Sequence, residues 1–254
     1  MLVVTTFALD SEFAAWRRLR PFRRIEGPVP IYETRIDRVH LRVVLTGIGS
    51  DAATAAAETI FREKPDLCIA SGLAGGLSET LRVADVVAAD RVSGPTGASI
   101  RCDSPALNLA LECGARRIRA LYSAPAIIIT VEQKRQLSAI GEAVDMESRT
   151  ILGESQQRNI PALALRAISD TADFDLPLDL NRALSPRGKI DRTRLLAVVV
   201  RRPKAVPGLI RLGMLGYRAA TALALCLDAF VVRLAADAPR DAAPSLGRAR
   251  TTAD

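Results

Sequence analysis

Aromatic side chains are scarce in this chain: six Phe, three Tyr and one Trp among 254 residues, 4% in all. Its core must therefore be aliphatic, and stacking platforms for nucleic acid bases are few. Histidine is scarcer still. His40 stands alone, which argues against a zinc site and against a Ser–His or Cys–His triad. The four cysteines, Cys68, Cys102, Cys113 and Cys226, form no CxxC pair. Cys68 and Cys226 sit in apolar runs and read as free, buried thiols. No uninterrupted apolar stretch reaches the roughly 18 residues of a spanning helix; the longest candidate, Ala219 to Val232, is broken by Asp228. The N-terminal MLVVTTFALDSEF has no basic leader and meets acids at Asp10 and Glu12, so it reads as a first strand and not as a signal peptide. Together these absences predict a cytoplasmic protein with reduced thiols.

What is present is ordinary for a folded protein: 49% apolar and 25% charged residues. The length suits one larger domain, or a domain with an appendage. The net charge of +7 is unevenly placed. Ten Lys or Arg and one acid, Asp191, lie between Arg182 and Arg218, against 25 basic and 27 acidic residues elsewhere. The basicity belongs to one segment, and a uniformly basic nucleic-acid binder is a poor reading.

Along the chain, strand-like and helix-like stretches alternate. Leu2–Leu9 predicts a strand, Ser11–Leu19 a helix ended by Pro21, and Ile31–Ile36 and Val39–Leu45 two strands joined near Asp37. LRVVLTGIGS puts Gly47 and Gly49 after a β-branched run, and DAATAAAETIFREK is an alanine-rich helix closed by Pro65. DLCIASGLAGG reads as a buried strand followed by glycines; VADVVAADRV and PAIIIT read as further strands, ESRTILGESQQR as a helix and PALALRAI as a last strand. Continuous apolar strands between helices predict a parallel or mixed sheet covered on both faces. Ligands in such sheets collect beyond the carboxyl ends of strands, and TGIG, SGLAGG and ISDTAD all fall there.

These segments could carry chemistry or merely turn the chain. Gly47 and Gly49 would let backbone N–H groups face an anion or a sugar oxygen, yet a GxG is as often a tight loop. No GK[ST] follows, so this is not a Walker A loop. Gly72, Gly75 and Gly76, with Leu73 and Ala74 between them, pose the same choice. In EAVDMES, Asp145, Met146 and Glu147 stand before a helix. They are either an acidic first turn or a carboxylate that binds paired hydroxyls beside a thioether packed on a sugar. LRAISDTADFD ends a buried strand in three acids, Asp170, Asp173 and Asp175.

TGIG, GLAGGL…LRVADVVAAD, VDMES and LRAISDTAD, in this order, resemble the nucleoside phosphorylase and nucleosidase superfamily over about Met1 to Asp175. The resemblance implies a three-layer αβα sandwich around a central mixed β-sheet that cleaves the N-ribosidic bond of a nucleoside. It makes Asp170 the general acid that protonates a leaving purine at N7, and Glu12 the residue that orients attacking water. Glu147 would hold the ribose hydroxyls with Met146 under the sugar. Gly75 and Ala74, with Gly47, Ser169 and Thr130, would line the substrate, the purine edge lying near Thr130 to Glu132. No cofactor or metal is implied, although phosphate could serve as co-substrate, with Arg42, Arg91 and Arg166 available to bind it. A homodimer is implied. Leu73 departs from the small hydroxyl residue that many members carry, which weakens a conventional phosphate pocket.

Beyond Asp175 the chain is longer and more basic than the closing helix of an ordinary nucleosidase. AVDMES, ISDTADFDLP and this apolar, Arg-rich tail resemble the hopanoid-associated phosphorylases. That branch implies release of adenine from adenosylhopane to leave ribosyl- or phosphoribosyl-hopane. The expected organisation is a catalytic domain at 1–175, a helical basic and apolar C-terminal extension at 176–237 packed on it, and a flexible tail at 238–254. Lys204, Arg211 and Arg218, seven apart, share one helical face beside Val206, Leu209, Ile210, Leu212, Met214 and Leu215. That helix could meet an anionic membrane surface, wall a groove for a greasy substrate, or be an ordinary core helix. Pro203, Pro207 and Gly208 leave its start open. A soluble methylthioadenosine or adenosylhomocysteine nucleosidase is the alternative, and a non-catalytic lipid-binding protein on the same fold is the third.

Overall fold

The structure, a computed structural model, describes residues 1–185, 188, 200 and 202–237. Its strands are β1 (Leu2–Phe7), β2 (Arg23–Ile25), β3 (Ile31–Ile36), β4 (Val39–Leu45), β5 (Leu67–Gly76), β6 (Val86–Ser93), β7 (Ile100–Arg101), β8 (Arg116–Ser123), β9 (Ala143–Asp145) and β10 (Ala162–Asp170). Its helices are α1 (Asp10–Leu19), α2 (Ser50–Phe61), α3 (Ser104–Glu112), α4 (Val131–Leu137), α5 (Ser148–Gln157) and α6 (Val206–Asp237). The strands form one sheet in the order β10-β6-β8-β9-β5-β1-β4-β3-β2, with β7 on β6. The sheet is mixed, as expected: β5 runs parallel to β1 and β10, while β9 pairs with β5 and β6 with β10 antiparallel. Because β10 pairs with both β5 and β6, the strands β5, β10, β6, β8 and β9 close into a ring.

The apolar runs explain this arrangement. β1, β4, β5 and β10 are buried along nearly their whole length, as strands covered on both faces must be. α1, α3 and α6 pack together on one side; α2 packs on α5 on the other. β8 shows a different code. Arg116, Arg117 and Arg119 face water while Ile118 and Ala120 face the core, so its charges hide it from a search for apolar runs. Two expectations need correction. The glycines of SGLAGG do not follow the strand; β5 runs through Gly76, and Gly75 pairs with Val144 of β9. PAIIIT is not a strand. Its Ile127 bonds through N–H and carbonyl to the side-chain amide of Asn181, and its apolar side chains line a cavity.

α6 is long and apolar enough to cross a bilayer by composition, but half of its most apolar window is buried inside the protein. Ala219, Ala220, Leu223, Ala224, Leu227, Phe230 and Val231 are all within 2% of full burial. Each of the larger ones is worth about 1.5–3 kcal/mol. Asp228, which interrupts the apolar run, accepts from Trp16 Nε1 at 3.1 Å and pairs with Arg20, both on or beside α1. The helix starts at Val206, so Pro207 sits in its first turn, where its missing N–H costs little. Lys204 lies in the 3₁₀ turn before it, so the seven-residue stripe keeps Arg211 and Arg218 on the helix proper. Arg187, Lys189, Arg192, Arg194 and Arg201 of the basic segment, and the tail at 238–254, lie outside the described residues.

Candidate active site

The carboxyl ends of β5, β9 and β10 meet the N-terminus of α1 around a cavity of about 530 Å³. Glu12, Leu73, Ala74, Gly75, Met146, Glu147, Ser169 and Asp170 line it together. Gly47 stands one residue from the lining Ile48 and gives its N–H to Ala8 O at 3.1 Å. Thr130 is elsewhere: it caps α4, its hydroxyl accepting from Gln133 N at 3.2 Å.

Glu12 is the third residue of α1, and its side chain turns back over the helix start. It accepts from the N–H groups of Ala8 (3.0 Å), Leu9 (3.1 Å) and Leu73 (3.2 Å). Burial pushes this carboxyl above its ordinary range, against the pull of Arg166 and of those N–H donors. Glu147, the residue that starts α5, accepts from Gly49 N at 2.7 Å. Burial raises it to about 7; Arg166 opposes the rise and Asp145 adds to it. Gly49 holds φ at +93°, the left-handed region that favours glycine, and Met146 Cε lies 3.6 Å from where its Cβ would stand. So the TGIG turn and the DMES segment meet: one supplies an N–H, the other the carboxylate and thioether.

Arg166 is the hub beneath Glu12, Asp145 and Glu147. It is 1% exposed. Its Nη2 lies 2.5 Å from Asp145 and 3.6 Å from Glu147, and Ser148 Oγ accepts from it as well. Asp145 also accepts from Ser123 Oγ and Ser148 N. Gly72 makes room for the hub: a Cβ there would stand 2.6 Å from Arg166 Nη1 and 3.1 Å from Glu12 Oε2. Of the other arginines considered for phosphate, Arg42 is tied to Glu33 and Glu63, and Arg91 lies in the middle of β6, paired with Arg101 of β7. None of these three arginines lines the cavity.

At the other end sits Asp170. A shift of register between Ile168 and Asp170 sets it opposite Gly75, and such irregularities re-aim a side chain. A Cβ on Gly75 would come within 3.2 Å of Asp170 Oδ2, so glycine permits the close approach. Asp170 Oδ1 accepts from Ser169 Oγ at 2.6 Å. Its Oδ2 accepts at 2.5 Å from Lys134 Nζ, a partner the residue pattern did not reveal. The other two acids of the strand end do separate work: Asp173 accepts from Thr171 Oγ1 at 2.5 Å, and Asp175 accepts from Val131 N at 2.6 Å, at the start of α4.

The far wall is apolar: Ala126, Ile127 and Ile128 from the loop, and Leu209, Leu212, Gly213, Gly216 and Tyr217 from α6. Arg211 stacks on Phe174 and Arg18 on Tyr217 at this rim.

The sheet is mixed and closed on itself, and acids from β9, β10 and α1 converge at its edge. Residues 3–110 match the family model described as Phosphorylase superfamily. Solved structures agree in fold. A 5′-methylthioadenosine/S-adenosylhomocysteine nucleosidase from Helicobacter pylori superposes with a TM-score of 0.72 at 17% identity, covering 92% of this chain and 98% of that one. The 5′-methylthioadenosine/S-adenosylhomocysteine nucleosidase from Neisseria meningitidis gives 0.70 at 21%, covering 91% and 99%. Futalosine hydrolase from Helicobacter pylori gives 0.69 at 16%, covering 92% and 99%.

Proposed function

We propose that this protein cleaves the N-ribosidic bond of an adenine nucleoside by attack of water, and that the nucleoside carries a large apolar group at its 5′ end. Adenosylhopane is the substrate that the resemblance of the tail implies, with ribosylhopane as product. The observation that carries the proposal is the composition of the cavity: buried carboxylates at one end and a wholly apolar wall of α6 at the other.

The chemistry follows from the charges. Breaking the bond builds cation character on the ribose, as in other glycosyl transfers. Glu12, Asp145 and Glu147 surround that region, and fixed carboxylates stabilise such a charge. Asp170 gives a proton to N7, the C1′–N9 electron pair goes to the purine, and neutral adenine leaves. Water adds to C1′ and passes its proton to Glu12, which gives it up to solvent, while solvent reprotonates Asp170. Water suits the site better than phosphate. Among the described residues, four carboxylates and one cation, Lys134, line the cavity, and that cation is already bonded to protein oxygens. A phosphate dianion would enter a field of its own sign.

The outer face of the α6 start extends the proposal. Ile210 (60%) and Met214 (57%) are exposed beside Arg211 and Arg218. An apolar and basic surface next to the cavity suits a peripheral contact with an anionic membrane, each basic residue adding about 1 kcal/mol. On this reading the protein works in the cytoplasm at the inner membrane face. Sedimentation with anionic and with neutral vesicles tests it: retention on anionic vesicles alone supports the contact, and equal recovery in both supernatants contradicts it.

The second reading is a soluble 5′-methylthioadenosine/S-adenosylhomocysteine nucleosidase, favoured by the similar fold. Adenine release from methylthioadenosine and from 5′-alkyl adenosines of increasing chain length separates the two. Rates that grow with chain length support the lipid-linked substrate; a preference for methylthioadenosine supports the second.

A further inference from the structure

Lys134, on the short helix α4, is a charged side chain that is only 1% exposed. Its ammonium has three N–H donors. All are used: Asp170 Oδ2 at 2.5 Å, Thr171 O at 2.7 Å and Phe174 O at 2.9 Å. A buried cation costs several kcal/mol unless it is paired and bonded, so the fold keeps this one for a reason. The helix that carries it is tied to the same segment. Asp175 accepts from Val131 N, and Leu176 N–H bonds to Ile129 O at 2.8 Å. Loop 171–176 and α4 thus brace each other, and Lys134 is the bolt between them.

We infer that Lys134 is a positioning residue for the acid step: it fixes Asp170 through Oδ2, turns Oδ1, on which Ser169 Oγ also rests at 2.6 Å, toward the base, and offsets the negative charge that forms on Asp170 as its proton moves to the purine. Lys134 is not a proton donor to substrate here; in the acid step bonds form and break only at Asp170 Oδ1, N7 and C1′–N9, and water then completes C1′ as described above. This inference rests on the nucleosidase reading above.

The test compares two substrates in one protein sample. Adenosine-type nucleosides need a proton on the leaving base; p-nitrophenyl riboside does not, because nitrophenolate leaves as a stable anion. Lys134→Met is expected to lower kcat on the nucleoside about 10- to 100-fold, less than the full 10²–10⁴-fold worth of the acid because Asp170 itself remains, with KM little changed and nitrophenyl riboside cleavage unchanged. The ratio of the two rates does not depend on the folded fraction of the sample. Asp170→Asn should show the same selective loss, and the double variant should be no worse than Asp170→Asn alone. Asp175→Ala, which frees the start of α4, should show a weaker version. Equal loss on both substrates, or no loss, or additive effects in the double variant, would overturn the role of Lys134 while leaving the nucleosidase reading intact. A wild-type protein that cleaves neither substrate would take down both.

Discussion

The two ends of the cavity are built on opposite electrostatic plans. At the base end one acid, Asp170, meets one cation, Lys134, and both are buried. At the sugar end three buried acids, Glu12, Asp145 and Glu147, share one arginine, Arg166. On the proposed reaction, the carboxyls outnumber the cation where a ribosyl cation would form, and the matched pair lies where a proton would leave. The difference teaches how one site keeps two kinds of carboxyl apart. Burial alone would push every acid up. Which cation stands beside it, and how many N–H groups it accepts from, decides what each can do.

The largest effect should come from breaking the base end. Asp170→Asn is expected to cut adenine release by about 10²–10⁴-fold, the usual range for a general acid, in a steady-state assay of kcat. Retention of most activity would mean that the proton comes from elsewhere. Glu12→Gln, at the sugar end, should cost about 10²–10³-fold in kcat, as loss of one fixed charge-stabilising group does. Gly72→Ala tests the hub beneath that end. Its Cβ would meet Arg166 and Glu12, so the variant should lose activity and melt earlier; an unchanged melting temperature would show that the hub can shift.

The pH dependence sharpens the contrast. Glu147 has an ordinary value of 4.5 and is raised to about 7 by burial. As an acceptor for ribose hydroxyls it must be ionised, so kcat/KM should fall as pH drops below about 7. The stability effect has the opposite sign. The folded chain holds a proton that the unfolded chain releases, so this contribution is full below pH 4.5 and is lost as pH rises through about 7. Glu147→Gln should flatten that part of the melting-temperature profile while abolishing tight substrate binding. A wild-type profile that rises from pH 5 to 7 would contradict the assignment. The smallest effect belongs to the apolar wall. A side chain at Gly213 meets nothing within 4 Å. Gly213→Ala should therefore stabilise the protein slightly, by up to about 1 kcal/mol, and Gly213→Leu should slow long 5′-alkyl substrates more than methylthioadenosine.

Much of this was legible in the residues. Strands rich in aliphatics with helices between them announce a covered mixed sheet, and the structure has one. The motifs TGIG, SGLAGG, DMES and ISD do converge on one cavity, apart from Gly47, which stands one residue from it. Lys134 was not legible, because a lysine in VEQKRQL looks like one more solvated charge; only the fold of loop 171–176 over α4 shows it buried. Thr130 was misjudged as a substrate contact because its capping hydroxyl and a ligand-facing hydroxyl are alike in sequence. β8 was missed because its arginines alternate with its core residues. The N-terminal half of α6 read as amphipathic, but that one side would wall the cavity depends on the approach of Gly216 to Leu73, 3.6 Å from a Cβ placed there.

The most direct measurement is adenine release by the purified full-length protein from a long-chain 5′-alkyl adenosine, with phosphate present and with phosphate removed. Release at equal rates in both, faster than from methylthioadenosine, is the result the account predicts. Release only with phosphate, or none from any adenine nucleoside, would contradict it.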